Sequence, residues 1–139
     1  MSTAHDTPLF VYGSLLLGQR ADGYLGGLER WPARIQGTLY RLPAGYPALV
    51  VNRSVVPGAS WVQGELVALD HARRLTVLDL YEGVERGLFK RELHQVQSGQ
   101  RSVHAWVYTM SEGAVRATGG TVLRGGDWRR VSPRMRRRR

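Results

Sequence analysis

The 139-residue sequence contains no cysteine. Disulfides and thiol catalysis are therefore excluded, and the absence fits the cytoplasmic location expected here. No apolar run approaches the ~18 residues that a membrane span requires. The start, Met1-Ser-Thr-Ala-His-Asp-Thr-Pro8, lacks the basic opening and apolar core of a signal peptide, so export is not expected. Several catalytic signatures are missing too. Ser14 follows Gly13 directly, and the surrounding run is not the G-x-S-x-G of a nucleophile elbow. The four histidines, His5, His71, His94 and His104, make no H-x-x-x-H pair, so spacing supports no metal site. Neither G-x-x-x-x-G-K-[ST] nor G-x-G-x-x-G occurs. No metal and no nucleotide cofactor are expected.

A large excess of basic charge is missing from most of the chain. The net charge is +9, but residues 129–139 hold seven arginines and no acid. Without those seven charges the balance over residues 1–128 is +2. A nucleic-acid-binding domain spreads its basic side chains over a face or groove, so specific nucleic-acid recognition is not expected. The end of the tail, Arg134 to Arg139, has nothing to bury and reads as a disordered charge run. It reads either as a solvated end or as a weak binder of polyanions through electrostatics alone.

What is present points to one folded unit. The length suits a single domain with one core, and a hydrophobic fraction of 42% is ordinary for a soluble protein. The 17 glycines, set between short apolar runs, favour strands and turns over a helix bundle. Residues 1–7 read as a disordered lead-in, 8–130 as the domain and 131–139 as the basic tail.

Within the domain, Leu9 to Gly13 reads as a short buried strand. Residues 15–27 read as irregular, with room for one helical turn. Ala33 to Leu42 alternates as a strand, with Gly37 marking a bulge or a close backbone approach. Pro43 to Pro47 is a turn, Ala48 to Val51 a strand, 52–60 a polar loop and Trp61 to Leu69 another strand. Asp70 reads as the N-cap of a short amphipathic helix over 71–80, with Ala72, Leu75 and Leu78 at helical spacing. Phe89 to Gln97 and Arg101 to Met110 form a hairpin. Residues 111–126 read as a Ser/Gly/Thr-rich connection. The expected fold is α+β: a small, mixed but mainly antiparallel β-barrel with one or two short helices.

One carboxylate stands out. Glu82 closes an apolar helical run, beside Leu78, Leu80 and Tyr81, and precedes a glycine turn. It reads either as a solvated helix-end glutamate or as an acid at the rim of an apolar pocket. In the second case its pKa is raised and it can accept and return a proton near neutrality. The turn at Gly13-Ser14 also reads two ways. It is either a plain glycine turn or a set of successive N–H groups that cradle an anion. Tyr46, Trp61, Trp106 and Tyr108 read as packing or as pocket walls. Glu65 reads as a structural partner for an arginine or as a carboxylate facing the cavity, and Asp79 as serving the helix end or an ion pair. Arg91 reads as a surface ion-pair partner or an anchor for a substrate carboxylate.

These features occur together in a recognisable order. Val11-Tyr-Gly-Ser-Leu15, Gly45-Tyr-Pro-Ala-Leu49, Val62-Gln-Gly-Glu-Leu66 and Leu78-Asp-Leu-Tyr-Glu-Gly83 resemble the motifs of the gamma-glutamylcyclotransferase-like family. Phe89-Lys-Arg91, Ala105-Trp-Val-Tyr108 and Gly126-Asp-Trp128 match further family segments. The resemblance covers about residues 8–130 and is similar to the compact bacterial and gamma-glutamylamine branch.

It implies a barrel with a cavity at one end and cleavage of a gamma-glutamyl amide without cofactor. The substrate's own alpha-amine attacks the gamma-carbonyl, releasing 5-oxoproline and an amine. By the resemblance Glu82 is the general acid/base, while Tyr12, Gly13, Ser14 and Leu15, with Tyr46 and Phe89, bind the substrate. Phe89 departs from the tyrosine of many members and forfeits any hydroxyl contact there. Tyr81 is placed to rim the pocket. The amine portion is expected to be read by residues 16–30, 52–60 and 111–125. The alternative is a non-catalytic small-molecule-binding module of the same fold, whose arginine tail recruits a polyanion. A narrower option is an enzyme acting on a gamma-glutamyl-protected intermediate in a biosynthetic pathway. The oligomeric state is left open.

Overall fold

The computed structural model describes residues 7–52 and 60–131. The expected lead-in, most of the polar loop at 52–60 and nearly all of the arginine tail lie outside the described residues.

Five strands close into a barrel: β1 (Leu9–Val11), β2 (Arg30–Arg41), β4 (Trp61–Val67), β5 (Lys90–Ser98) and β6 (Arg101–Thr109). Their order is β2-β4-β1-β6-β5, and a β2–β5 contact at Arg34 and Gln97 completes the ring. Only β1 with β6 runs parallel; the other pairs are antiparallel. Closure removes the unpaired edges that an open sheet of this size would expose. Beyond Gln36 the long β2 leaves β4 and pairs instead with β3 (Pro47–Val51) and, at its end, with β7 (Thr121–Val122).

Alternation in the sequence fixes which faces are buried. On β2, Ala33, Ile35 and Leu39 point inward, and on β4, Val62 and Leu66 do the same. Phe10, Val96, Ala105 and Val107 fill the space between them. Two glycines let backbones come close. A Cβ at Gly37 would sit 2.6 Å from the Val50 carbonyl oxygen, and one at Gly64 would run into the Val11 carbonyl and the Phe10 ring. Gly37 is therefore a close approach, one of the two readings its sequence context allows.

Helix α1 spans Arg73–Glu82 and buries Leu75 and Leu78 against the barrel. The expected N-cap at Asp70 is not formed. Position 72 precedes the helix without a side-chain cap, and the Asp70 carboxylate is held instead by the Arg74 guanidinium at 2.7 Å. An arginine four residues on outcompetes the backbone N–H groups for the carboxylate. At the other end Gly83 adopts φ 74°, and its N–H returns to the Asp79 and Leu80 carbonyls. This left-handed cap stops the helix one residue after Glu82.

The connection expected over 111–126 contains structure of its own. Helix α2 (Glu112–Thr118) starts on Ser111, whose hydroxyl accepts the Ala114 N–H, and β7 follows it. A single turn, α3 (Trp128–Val131), packs Trp128 into the core. No helix among the described residues is long and apolar enough to cross a membrane.

Candidate functional site

A cavity of about 320 Å³ opens at one end of the barrel. Its walls come from four parts of the chain. The loop after β1 contributes Tyr12, Gly13, Ser14 and Leu15, then Gln19 and Arg20. The β2–β3 turn contributes Gly45, Tyr46 and Pro47. The end of α1 and the turn after it contribute Tyr81, Glu82, Arg86, Leu88 and Phe89. Tyr108 of β6 and Trp128 of α3 close the wall. The seven residues that the resemblance assigned to catalysis or substrate binding, Glu82, Tyr12, Gly13, Ser14, Leu15, Tyr46 and Phe89, all line this cavity.

Glu82 is partly buried, and no group among the described residues hydrogen-bonds its carboxylate. Burial alone pushes its pKa up to about 7. The mechanism is desolvation: the charged form loses water and gains no compensating donor. Tyr12 is buried beside it, and burial first, then the Glu82 charge, push its phenol well above the ordinary range. The Tyr12 hydroxyl donates to the Tyr108 carbonyl at 2.7 Å.

The loop at 12–17 is held from both sides. At its cavity face the Ser14 hydroxyl and the Tyr81 phenol are 2.7 Å apart. On the far side Arg30 donates to the Leu15 carbonyl at 2.9 Å and to Glu65 at 2.7 Å, while Glu65 also accepts the Leu17 N–H. The Glu65–Arg30 pair is largely buried and belongs to this bracing. No backbone carbonyl among the described residues accepts the N–H groups of Gly13, Ser14 or Leu15. Three successive N–H groups without a backbone acceptor, on residues that line a cavity, are the raw material for binding a carboxylate or a developing oxyanion.

A second network sets the position of α1. Arg91 grips Asp79 through two bonds of 2.8 and 3.1 Å, the Tyr108 hydroxyl donates to the same carboxylate at 2.7 Å, and Arg91 lies over the Trp106 ring. Burial, followed by the bond to Asp79, raises the Tyr108 phenol far above its usual range. Arg91 is engaged within the protein, and Asp79 ties the last turn of α1 to the hairpin. Trp61 and Trp106 lie outside the cavity, under Arg34 and Arg91 respectively. Tyr46 is half-exposed at the rim, and Phe89 is buried behind it at a ring distance of 6.2 Å.

Sequence reasoning missed Arg86, which carries no motif, and covered Gln19 and Arg20 only as part of the 16–30 stretch expected to read the amine portion. It also assigned 111–125 to the cavity mouth, but no residue of that segment lines the cavity, and 122–125 border a different hollow. This second space, of about 640 Å³, lies against β2 and β4 and holds one charged side chain, Arg124, with no carboxylate to move a proton. Among the described residues no cluster of three or more metal-ligating side chains forms.

Known structures share this fold. YkqA from Bacillus subtilis superposes with a TM-score of 0.68 at 22% identity over 95% of this chain; the chain spans 43% of its length. An AIG2-like protein from Mus musculus superposes with a TM-score of 0.62 at 24% identity, covering 75% of this chain and 76% of that one. The uncharacterised PH0828 from Pyrococcus horikoshii covers 92% of this chain and 94% of its own, with a TM-score of 0.62 at 18% identity. These likenesses show a common fold. No curated protein matches the sequence. The family model described as gamma-glutamyl cyclotransferase, AIG2-like matches residues 9–130. The chain belongs to the gamma-glutamyl cyclotransferase, AIG2-like family.

Proposed function

We propose that the protein is a gamma-glutamyl cyclotransferase that converts a gamma-glutamyl amide to 5-oxoproline and a free amine, with Glu82 as the proton carrier. The observation that carries this reading is Glu82 itself. It is an acid without a hydrogen-bond partner among the described residues, raised by burial to about pH 7, in the cavity that the Gly13-Ser14 loop also lines.

The chemistry needs little from the enzyme. Glu82 takes a proton from the substrate's alpha-ammonium. The freed amine attacks the gamma-carbonyl, and its C–N bond closes a five-membered lactam. The attacking nitrogen gives up its second proton as the original amide C–N bond breaks, and the departing nitrogen receives both protons by way of Glu82 and leaves as the ammonium. A pKa near the working pH suits both halves of this transfer, which contribute about 10²–10⁴-fold. The N–H groups of Gly13, Ser14 and Leu15 stabilise the oxyanion, a role worth about 10²–10³-fold per donor. Holding the glutamyl chain curled supplies the largest part, about 7–11 kcal/mol in well-oriented intramolecular reactions.

No enzyme nucleophile is required. Ser14 has a phenol and not a base as its partner, so nothing activates its hydroxyl. The decisive experiment incubates the protein with a panel of gamma-glutamyl amides and follows 5-oxoproline. Glu82→Gln keeps the shape but cannot shuttle the proton, and turnover is expected to fall at least about 10²-fold. Equal turnover in that variant would overturn the assignment.

A further inference from the structure

We propose that Asp79 is a positioning residue for Glu82: by holding the Tyr108 hydroxyl, it leaves the Glu82 carboxylate without a donor. This rests on the proposed cyclotransferase reading only for the use Glu82 makes of its proton.

Glu82 is not short of neighbours. The titratable side chains around its cavity are Tyr12 and Arg20 from the loop after β1, Tyr46 from the β2–β3 turn, Tyr81 and Arg86 from the chain on either side of it, and Tyr108 from β6. Among the described residues none of them hydrogen-bonds Glu82. Two of them feel its charge, the buried phenols of Tyr12 and Tyr108. A buried phenol needs an acceptor, and an ionised carboxylate makes a stronger one than a neutral oxygen. Yet neither phenol serves Glu82. The Tyr12 hydroxyl donates to the Tyr108 carbonyl at 2.7 Å, and the Tyr108 hydroxyl donates to Asp79 at 2.7 Å. The Tyr81 phenol is taken by Ser14.

Asp79 stands three residues before Glu82 on α1. At that spacing two side chains are neighbours on the helix surface, with Cβ atoms about 5–6 Å apart. Two carboxylates therefore compete for one phenol. Asp79 wins because Arg91 fixes it in place, through bonds of 2.8 and 3.1 Å to its two oxygens. Burial then acts on Glu82 unopposed and brings its pKa to about 7. A phenol donating to the ionised form would lower that value. The network around Asp79 thus does more than tie α1 to the hairpin, because it also withholds a donor.

The test follows the Glu82 carboxyl by carbon-13 NMR in glutamate-labelled protein as pH is raised, with Glu82→Gln assigning the signal. Asp79→Leu with Arg91→Leu removes the phenol's acceptor and both charges of the pair at once. Exchanging a whole ion pair for apolar side chains is often neutral for stability. The freed Tyr108 hydroxyl then turns to Glu82, and the Glu82 midpoint is expected to fall by about one to two pH units. Adding Tyr108→Phe removes the donor and should bring the midpoint back to within about 0.3 unit of wild type. An unmoved midpoint in the double variant, or a fall that persists in the triple one, overturns the proposal.

Tyr108→Phe alone keeps the Asp79–Arg91 pair and answers independently of how the double variant folds. Its Glu82 midpoint is expected to stay within about 0.3 unit of wild type. A larger rise is the mark of a donor already serving Glu82 and overturns the proposal. Release of 5-oxoproline is a separate readout. The expected midpoints without any release would remove the cyclotransferase reading and leave the role of Asp79 standing. Release with a midpoint that none of these variants moves does the reverse.

Discussion

The Ser14 hydroxyl and the Tyr81 phenol lie 2.7 Å apart across 67 residues of sequence. This contact joins the nest-forming loop to the last turn of α1 and fixes where Glu82 sits against it. The Tyr24 ring also packs against Tyr81, tilted at 45° with ring centroids 4.9 Å apart.

The Ser14–Tyr81 contact predicts matched losses. Ser14→Ala and Tyr81→Phe each remove the same hydrogen bond, worth about 0.5–1.5 kcal/mol net. Each is expected to lower kcat/KM about 2- to 10-fold, and the double variant no further than the worse single one. Steady-state kinetics on one gamma-glutamyl amide decide this. A loss of many orders of magnitude in Ser14→Ala alone would restore a nucleophilic role for the serine.

Glu82 makes activity and stability run in opposite directions with pH. Its carboxylate must be ionised to accept the substrate's proton, so kcat/KM is expected to rise through about pH 7. Burial raises the folded pKa above the ordinary 4.5, so the folded state holds a proton that the unfolded chain releases. Its stabilising contribution is complete below pH 4.5 and is lost as pH rises through about 7. Glu82→Gln, which never ionises, should therefore gain stability relative to wild type at pH 8, by at most about 3 kcal/mol. Urea melts of both proteins at pH 5 and pH 8 measure the difference, and a gain that is the same at both would contradict the raised pKa.

The Glu65–Arg30 pair predicts a coupled loss of stability and activity. Glu65→Ala strands a largely buried guanidinium and frees the Leu17 N–H. Breaking such a pair from one side costs about 3 kcal/mol or more. The loop that the pair braces carries the nest, so residual folded protein should show a raised KM as well. Replacing Glu65 by Gln keeps an acceptor for both donors and is expected to recover part of each loss.

Two glycines should answer in opposite ways to alanine. At Gly64 the new methyl meets the Val11 carbonyl and the Phe10 ring inside the barrel. Backbone cannot yield as a side-chain tip can, so Gly64→Ala is expected to cost about 3 kcal/mol or more and to reduce soluble yield. At Gly113, in the first turn of α2, nothing lies within 4 Å of the added atom. Gly113→Ala should stabilise by about 0.5–1 kcal/mol through helix propensity and a less flexible unfolded chain. Thermal melts of the two variants give the comparison.

Much of this molecule could be read from pattern. Alternation along 33–39 and 62–66 set the inward faces, because a strand turns each successive side chain to the opposite side. The glycine after Glu82 marked the helix end, since only a residue free to take φ 74° stops the helix there. Where the reading failed, competition between partners was the reason. Asp70 had the right type for an N-cap, but Arg74 took its carboxylate. Helix α2 was hidden because Ser111 and Gly113 resemble loop residues and Val115 is its one buried side chain.

The sequence by itself determined the strand-rich fold, the family, and the identity of the acid and the loop that line the cavity. Alternation and glycine turns carry the first, and the resemblance of the ordered motifs carries the others. Tertiary structure alone decided three other things. It removed hydrogen-bond partners from Glu82 and so raised its pKa, because desolvation depends on what packs around a group and not on its neighbours in the chain. It spent Arg91 and Glu65 on internal ion pairs. It left Arg20 and Arg86, which no motif marks, unpaired at the cavity mouth, because charge balance there is set by residues brought together only when the barrel closes.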